Sequence, residues 1–384
     1  MARALYIHWP FCIKKCPYCD FNSHVRAEVD YDVWRRAFIS DLQHEAALAN
    51  DGPLASIFFG GGTPSLMPSA LVGALLAEAE RLFGFAADIE ITLEANPSSI
   101  EAAKFTDLAK AGVNRVSLGL QALDDADLKF LGRLHSVAES MAALDVAQNN
   151  FARVNIDLIY ARPDQNMARW QVELERAIAF GTEHLALYQL TIEAETRFAT
   201  DVRRGVFAPL GDDPSADLFE LTRAITSAAG LPPYEISNHA RAGAESRHNL
   251  TYWRYRDYIG IGPGAHGRRG GIATFRHKKP ENWLRSVAEK GHGLKTEDMV
   301  TASEQASEAL LMNLRLEEGI DLAAMCARFK MPQSSLIDRA KLSNLQRLAL
   351  VWRDGDRIGV TPQGMPVLDA ILTELVHSDL VSVR

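Results

Sequence analysis

The stretch Cys12-Ile13-Lys14-Lys15-Cys16-Pro17-Tyr18-Cys19 decides the fold, and it holds three of the chain's four cysteines. It directly follows a short apolar segment, Ala4–His8, which is predicted to be the first β-strand. So few cysteines, so closely spaced, indicate a metal site and not a disulfide framework. Three thiolates in one loop match a [4Fe–4S] cluster in which one iron lacks a protein ligand and stays open to a small molecule.

A structural zinc site is the alternative interpretation of the same cysteines. It would need a fourth ligand, for which His8 and His24 are the nearby candidates. Zinc knuckles more often carry paired C-x2-C units, and nothing else in the chain favours zinc. The fourth cysteine, Cys326, lies in the apolar helical pattern LAAMCARF and is predicted to be a buried, inert thiol.

A glycine-rich segment, Phe58-Phe59-Gly60-Gly61-Gly62-Thr63-Pro64, closes the second predicted strand. Glycines let a ligand approach the backbone closely and expose its N–H and C=O groups. A tight turn explains the segment equally well when it is considered alone.

Short apolar strands alternate with amphipathic helices over the first ~240 residues, which is the pattern of a parallel sheet with helical crossovers. The predicted strands are Ala4–His8, Ser56–Phe59, Asp88–Glu94, Arg115–Gln121, Val154–Tyr160 and His184–Thr191. The predicted helices lie near 31–49, 68–83, 99–111, 136–149, 165–180 and 214–229. The fold class is therefore α/β, with six βα units in a partial (β/α)6 barrel or an open doubly wound sheet.

The alternation of residues along the strands favours the partial barrel. In Arg115–Gln121, Val116, Leu118 and Leu120 form an apolar face, and the residues between them are polar or small. Strands covered by helices on both faces would be apolar throughout. A barrel interior that holds a polar ligand explains the second face, and a solvent-exposed sheet face is the remaining alternative.

The carboxyl ends of barrel strands build the active site, so polar residues found there are site candidates. Glu94 and Gln121 end the third and fourth predicted strands, Arg133 follows in the next loop, and Asp157 lies on the wet face of the fifth strand.

Beyond residue 240 the pattern changes. Arg247 to Gly271 is rich in glycine, aromatics and arginine and shows no helical period, and a helix is predicted at Pro280–Lys290. Helices near 302–315, 321–329 and 334–346 precede a hairpin at Asp354–Gly355, and Thr361–Pro362 is predicted to cap a closing helix. This predicts a smaller, mainly helical, winged-helix-like C-terminal domain at 301–384, after a barrel domain at 1–238 and a connecting segment at 239–300.

Composition excludes several classes of protein. The formal net charge of −8 argues against broad nucleic-acid binding. The amino terminus resembles no secretory signal, and no apolar run approaches the ~20 residues of a membrane span. We therefore expect a cytoplasmic protein with no transmembrane segment.

Several segments together resemble the HemW/HemN group of the radical S-adenosylmethionine (radical SAM) superfamily: YIHWPFC, CPYCDF, FFGGGTP, LEANP, SLGLQ, NIDLIYARP and HNLTYW. The resemblance covers nearly the whole chain and implies a radical SAM barrel with a [4Fe–4S] cluster on Cys12, Cys16 and Cys19. It places Tyr6, Gly61 and Glu94 near one S-adenosylmethionine. A second ligand site, which the oxidases of the group fill with another S-adenosylmethionine, is implied at Tyr18, Gly62, Thr63, Gln121, Arg133 and Asp157.

The group contains oxygen-independent coproporphyrinogen III oxidases, which are enzymes, and haem chaperones. The oxidases resemble C-x3-C-x2-C-x-C, whereas Phe21 stands here two residues beyond Cys19, and the oxidases' amino-terminal extension is absent. Both departures favour the chaperone over radical oxidative decarboxylation, which is the alternative function. The implied partners are haem and apo-haemoproteins, and a homodimer is compatible with the resemblance.

HNLTYW resembles the haem-binding segment of the chaperones and implies a site at His248, Tyr252 and Trp253. A neutral imidazole is a usual axial ligand of haem iron, and aromatic rings pack on the macrocycle. Basic residues downstream are expected to pair with propionates: Arg268, Arg269, Arg276, Lys278 and Lys279. The alternative is that His248 is a hydrogen-bonded core side chain among core aromatics.

Overall fold

The computed structural model of the protein describes residues 3–26, 28–48 and 52–376. The strands of these ranges are β1 (Arg3–Trp9), β2 (Phe11–Cys12), β3 (His24–Val25), β4 (Leu54–Gly61), β5 (Phe85–Ala95), β6 (Arg115–Gln121), β7 (Arg153–Tyr160), β8 (His184–Gln189), β9 (Asn238–Ala240), β10 (Tyr258–Ile261), β11 (His266–Arg269), β12 (Ile272–Arg276), β13 (Leu294–Met299), β14 (Ile320–Asp321), β15 (Val351–Asp354) and β16 (Arg357–Val360).

The helices are α1 (Tyr31–Leu48), α2 (Ser69–Phe83), α3 (Ser99–Ala102), α4 (Phe105–Lys110), α5 (Asp125–Phe130), α6 (Val137–Asn150), α7 (Met167–Ile178), α8 (Arg197–Arg203), α9 (Asp212–Ala228), α10 (Arg247–Trp253), α11 (Pro280–Lys290), α12 (Ala302–Asn313), α13 (Leu322–Phe329), α14 (Gln333–Leu336), α15 (Arg339–Arg347) and α16 (Leu368–Leu375). The helix predicted over 99–111 is in fact two helices, separated by Ala103 and Lys104.

The six strands predicted for the barrel pair side by side in parallel, in the order β1-β4-β5-β6-β7-β8. Crossover helices connect them, as right-handed βαβ units require. The α/β fold class and the six βα units are therefore confirmed.

The two faces of the strands explain why the sheet wraps around a cavity. Leu118 and Ile156 point outward and belong to the main core, where they pack beneath the crossover helices. Their neighbours Ser117 and Asn155 are also buried but line an internal cavity. The wet face that the sequence predicted is therefore the barrel interior, and it does not face bulk solvent.

Residues 239–300, expected as a connecting segment, extend the barrel sheet. Strand β10 pairs in parallel with β1, and β11, β12 and β13 follow in antiparallel order. Pro280 occupies the first turn of α11, where its missing N–H costs nothing, and this helix has the predicted bounds. The prediction that Arg247 onward lacks a helix is wrong, because α10 forms there. The Ser246 side chain caps its start by accepting a hydrogen bond from the backbone N–H of Asn249.

The C-terminal part has the predicted winged-helix-like arrangement of helices around a small sheet, β14-β16-β15, with its own core. The hairpin lies at Asp354–Gly355, as predicted. Thr361 does not cap the closing helix: its hydroxyl accepts from Gly364 N in a turn, and α16 begins at Leu368.

Residues of the C-terminal domain, on α12, on α13 and in the turn after α12, contact the segment after α10. Arg254 donates two hydrogen bonds to Glu318, both of 2.8 Å. Tyr255 is 1% exposed and carries Arg268 on its ring face, 3.5 Å from the centroid. Its hydroxyl bonds Glu308 of α12, and its carbonyl accepts from Arg328 of α13 at 2.6 Å. None of the helices in the described ranges is both long and apolar enough to cross a membrane.

Candidate cofactor and ligand site

One cavity of about 790 Å³ occupies the barrel interior. It is within the size range of small-molecule and cofactor sites. The three clustered cysteines and every predicted S-adenosylmethionine residue line it. Those residues are Tyr6, Tyr18, Gly61, Gly62, Thr63, Glu94, Gln121, Arg133 and Asp157.

The cysteine loop lies at the carboxyl end of β1, and its thiols are free. Burial raises the pKa of the Cys12 and Cys19 thiols, whereas nearby hydrogen-bond donors lower it. The Thr63 hydroxyl donates to Cys12 Sγ at 3.3 Å, and the backbone N–H of Phe21 donates to Cys19. These donors stabilise thiolates, which are the ligand form of cysteine.

The donor set fits a cluster better than a single zinc ion. No three His, Cys, Asp or Glu side chains of the described ranges surround one ion position. A cubane does not require this, because each thiolate binds a different iron. The imidazole of His8 is also committed, since Nδ1 bonds the Tyr6 hydroxyl and Nε2 bonds the Asn22 carbonyl, both at 2.9 Å.

The glycine segment brings backbone against this loop. Gly61 has a φ of +111°, and a Cβ there would lie 2.6 Å from the His8 ring. A Cβ on Gly62 would lie 2.6 Å from the Phe11 carbonyl oxygen. Both positions therefore require glycine for the fold itself, as well as leaving room for a ligand.

Two acidic side chains, Glu94 and Asp157, line the cavity. The backbone N–H of Gly61 donates to Glu94 at 3.2 Å, and Ser117 donates to Asp157 at 3.0 Å. Burial, followed by the charge of Asp157, raises the pKa of Glu94 to about 8. Burial also raises the pKa of Asp157, against its hydrogen bonds from Ser117 and Asn155. At neutral pH Glu94 is therefore largely protonated and can donate as well as accept hydrogen bonds.

Arg133 connects the cysteine loop to the ends of the neighbouring strands. Its guanidinium donates to Cys16 Sγ at 3.4 Å, to the Tyr18 hydroxyl at 3.3 Å and to the side chain of Asn96. Asn96 also donates to the Thr63 hydroxyl at 3.4 Å. The Asn96 side chain thus links Arg133, which contacts Cys16, to Thr63, which contacts Cys12.

Gln121, at the end of β6, has a φ of +69°, which is unusual for a residue other than glycine. This conformation ends the strand and turns the chain at the cavity edge. Such backbone strain concentrates at ligand sites.

The predicted haem histidine lies in the same cavity, where α10 packs against the amino-terminal ends of the barrel strands. His248 is 1% exposed and its ring stacks on Phe58 at 5.0 Å. Nδ1 bonds the Ser56 hydroxyl at 3.1 Å and Nε2 bonds the Tyr252 hydroxyl at 2.7 Å. Burial lowers the pKa of His248 to about 3, so the ring is neutral.

The other predicted haem contacts are dispersed. Tyr252 lines the cavity, and Trp253 does not. Arg276 is fully buried and pairs with Asp41 and Glu45, so the expectation that it meets a propionate is wrong. The guanidinium of Arg268 stacks on the Tyr255 ring, whereas Lys278 and Lys279 are exposed.

Several cavity residues were missed by the sequence reasoning, notably Ser23, Asn96, Arg115 and His184. Arg115 could have been predicted, because alternation along β6 places it on the same face of the strand as Ser117 and Gly119. Asn96 directly follows the β5 strand end within the quoted LEANP segment. Ser23 gave no signal, because its proximity to the cysteines arises from the path of the loop.

Comparisons with known proteins agree with this architecture. A Radical SAM superfamily model matches residues 6–177, and a HemN C-terminal domain model matches residues 300–367. A solved structure of the Escherichia coli coproporphyrinogen III oxidase HemN has a TM-score of 0.83 at 22% identity, over 97% of this chain and 89% of that chain.

Curated relatives match at higher identity. The bovine "Radical S-adenosyl methionine domain-containing protein 1, mitochondrial" is 37% identical over 97% of this chain and 87% of its own length. The E. coli "Heme chaperone HemW" is 40% identical over 82% of this chain and 83% of its own length. With the two domain matches and the fold, these relatives show that the chain belongs to the HemW/HemN family of the radical SAM superfamily.

Proposed function

We propose that this protein is a haem chaperone that binds haem and delivers it to apo-haemoproteins. The observation that carries the proposal is the 40% identity to a relative named as a haem chaperone, over most of both chains. Phe21 adds support, because it is 58% exposed beside the cysteine loop, at the position where the oxidases have a further cysteine.

The same proposal includes a [4Fe–4S] cluster on Cys12, Cys16 and Cys19 and S-adenosylmethionine in the barrel cavity. When bound, the cluster would supply one electron at its open iron. Tyr6, Gly61 and Glu94 would contact one S-adenosylmethionine, and the neutral Glu94 carboxyl suits a ribose hydroxyl. A second ligand would contact Tyr18, Gly62, Thr63, Gln121, Arg133 and Asp157.

We propose His248 as the axial ligand of the haem iron. Its low pKa supports this role, because only the neutral ring offers a lone pair to iron. Its contacts set a condition: Nε2 must exchange the Tyr252 hydroxyl for iron, or Nδ1 must give up Ser56. Haem binding at His248 therefore includes the loss of one of these two hydrogen bonds.

Paired substitutions test this assignment. His248→Ala should shift or abolish the Soret band of the haem-loaded protein and leave the cluster absorption intact. Tyr252→Phe removes one competing hydrogen bond and keeps the ring, so haem affinity should be equal or higher. Trp253 does not line the cavity, so Trp253→Ala should weaken haem binding less than His248→Ala does, and only through the position of α10. An unchanged Soret band in His248→Ala would refute ligation by His248.

Coproporphyrinogen III oxidation is the second candidate function. The cavity supports it, because Glu94, Gln121, Arg133 and Asp157 all line the interior of a barrel with the HemN fold. Anaerobic incubation with reductant, S-adenosylmethionine and coproporphyrinogen III separates the two functions. Catalytic conversion would refute the chaperone proposal. Stoichiometric haem binding and transfer to an apo-haemoprotein, without conversion, would support it.

Location and assembly complete the proposal. We propose a cytoplasmic protein, although the name of the bovine relative places that protein in mitochondria. Absence of nucleic-acid binding and formation of a homodimer remain predictions, which filter binding of DNA and light scattering of the cluster-loaded protein would test.

A further inference from the structure

Arg115 differs from the other deeply buried arginines. Four arginines of the described ranges are 9% exposed or less. Three of them pair with carboxylates: Arg162 with Glu173 and Asp127, Arg223 with Glu317, and Arg276 with Asp41 and Glu45. Arg115, at 2% exposed, has no carboxylate oxygen of the described residues within ion-pair distance.

The hydrogen bonding of Arg115 is equally incomplete. Within the described part of the chain it makes one hydrogen bond, from Nη1 to the Thr92 hydroxyl at 3.4 Å. A guanidinium has five N–H donors and stays charged at any physiological pH. The other donors face the cavity that Arg115 lines.

The neighbours of Arg115 are already engaged with one another. Asp157 is the nearby cavity carboxylate, and it accepts from Ser117 and Asn155 at 3.0 and 2.6 Å. His184 bonds Asn155 at 2.6 Å and the Tyr234 hydroxyl at 2.9 Å. On the neighbouring strand, Arg153 pairs with Glu90 at 2.7 Å. Among the described residues, Arg115 thus has no direct ion-pair partner at this end of the cavity, and the charge of Asp157 acts on it only through space.

We propose that Arg115 forms a carboxylate-binding subsite at the floor of the barrel cavity, opposite the cysteine loop. The planar fork of a guanidinium matches a carboxylate through two parallel hydrogen bonds. One cation balances a monoanion, which favours a carboxylate over a doubly charged phosphate. The carboxylate belongs either to the amino-acid end of the second S-adenosylmethionine, since that of the first would lie at the open iron, or to a propionate of haem, and both cases rest on the proposed function.

Four probes separate these sources. S-adenosylmethionine is compared with methylthioadenosine, a nucleoside without the carboxylate, and haem is compared with its dimethyl ester. Binding is measured on the cluster-loaded full chain for the parent, for Arg115→Gln and for Arg115→Lys. Arg81→Gln, which removes an exposed arginine of α2, is the matched control.

Arg115→Gln should weaken the binding of either S-adenosylmethionine or haem at least about tenfold, or about 1.4 kcal/mol. The binding of the matching compound without the carboxylate, methylthioadenosine or the haem dimethyl ester, should stay within about twofold of the parent. Selective loss of S-adenosylmethionine assigns the nucleoside source, and selective loss of haem assigns the propionate. Equal affinities of both acids in folded Arg115→Gln and parent would overturn the subsite. If Arg115→Gln does not fold, Arg115→Lys provides the test. The ratio of its affinities for the carboxylate-bearing compound and for the compound without the carboxylate should fall at least about threefold, and an unchanged ratio overturns the proposal. A parent that fails to bind haem refutes the chaperone function but leaves the nucleoside comparison valid.

Discussion

Replacing Glu94 by Gln should make the apoprotein more stable at neutral pH while weakening S-adenosylmethionine. Between pH 4.5 and 8 the folded protein keeps a proton on Glu94 that the unfolded chain has released. The free energy of unfolding therefore falls as pH rises through this window, and it stops falling above pH 8. The amide of the Glu94→Gln variant has no proton to release, so the stability of the variant lacks this dependence.

The size of the effect follows from the shift of the pKa from 4.5 to about 8. Taken in full, such a shift corresponds to at most about 5 kcal/mol. Buried sites behave as if more polarisable than a dry interior, so we expect about 2–4 kcal/mol at pH 8. Affinity for S-adenosylmethionine should fall by about 0.5–1.5 kcal/mol if a hydrogen bond between the neutral carboxyl and a ribose hydroxyl is lost.

Urea denaturation of the apoprotein at several pH values, from about 4.5 to about 8.5, measures this difference. The stability gained by Glu94→Gln should grow steadily with pH and level off near pH 8. Glu139→Gln is a flat control, because hydrogen bonds from Ser136 lower the pKa of Glu139 from 4.5. The stability that Glu139 contributes is fully present above pH 4.5 and is lost only at lower pH, so the effect of Glu139→Gln should not vary across this range. A difference between Glu94→Gln and parent that does not vary with pH would refute the reasoning.

Three further outcomes are expected. Cys16→Ala should abolish the absorption of the reconstituted cluster, and Cys326→Ala should keep it; the reverse pattern would contradict the assignment. Thr63→Val removes the donor to Cys12, so the cluster potential measured by EPR-monitored titration should fall by about 20–60 mV, at about 59 mV per tenfold change; an equal potential would exclude that hydrogen bond. Tyr255→Ala should cost about 3–5 kcal/mol of unfolding free energy by loss of a buried aromatic, and a cost below about 1 kcal/mol would show that the ring is dispensable.

The barrel could be predicted because its signals are local. Strand β6 has the predicted bounds, and alternation along it separated the outward Leu118 from the inward Ser117. The cysteines follow β1 and the glycine segment closes β4, and these two strands are parallel neighbours in the sheet, so their pairing brings the two motifs together.

What the sequence did not reveal depends on long-range contacts. Helix α10 has weak helical periodicity, and it forms because Ser246 caps it and Glu90 of β5 accepts from Ser246 and from His248 N. The haem and nucleoside predictions were treated as separate sites for the same reason. Only the folded sheet shows that His248 and Glu94 share one cavity.

The contacts between the C-terminal domain and the residues after α10 limit where the chain can be truncated. A chain ending near residue 300 would keep every barrel strand but lose Glu308, Glu317 and Glu318. Arg223 and Arg254 would then lose the carboxylates they pair with here, and Tyr255 would lose its cover. Because α10 packs against the amino-terminal ends of the barrel strands, this truncation would destabilise one wall of the cavity. The C-terminal domain therefore stabilises the cavity, and we expect that neither part would keep its structure when separated from the other.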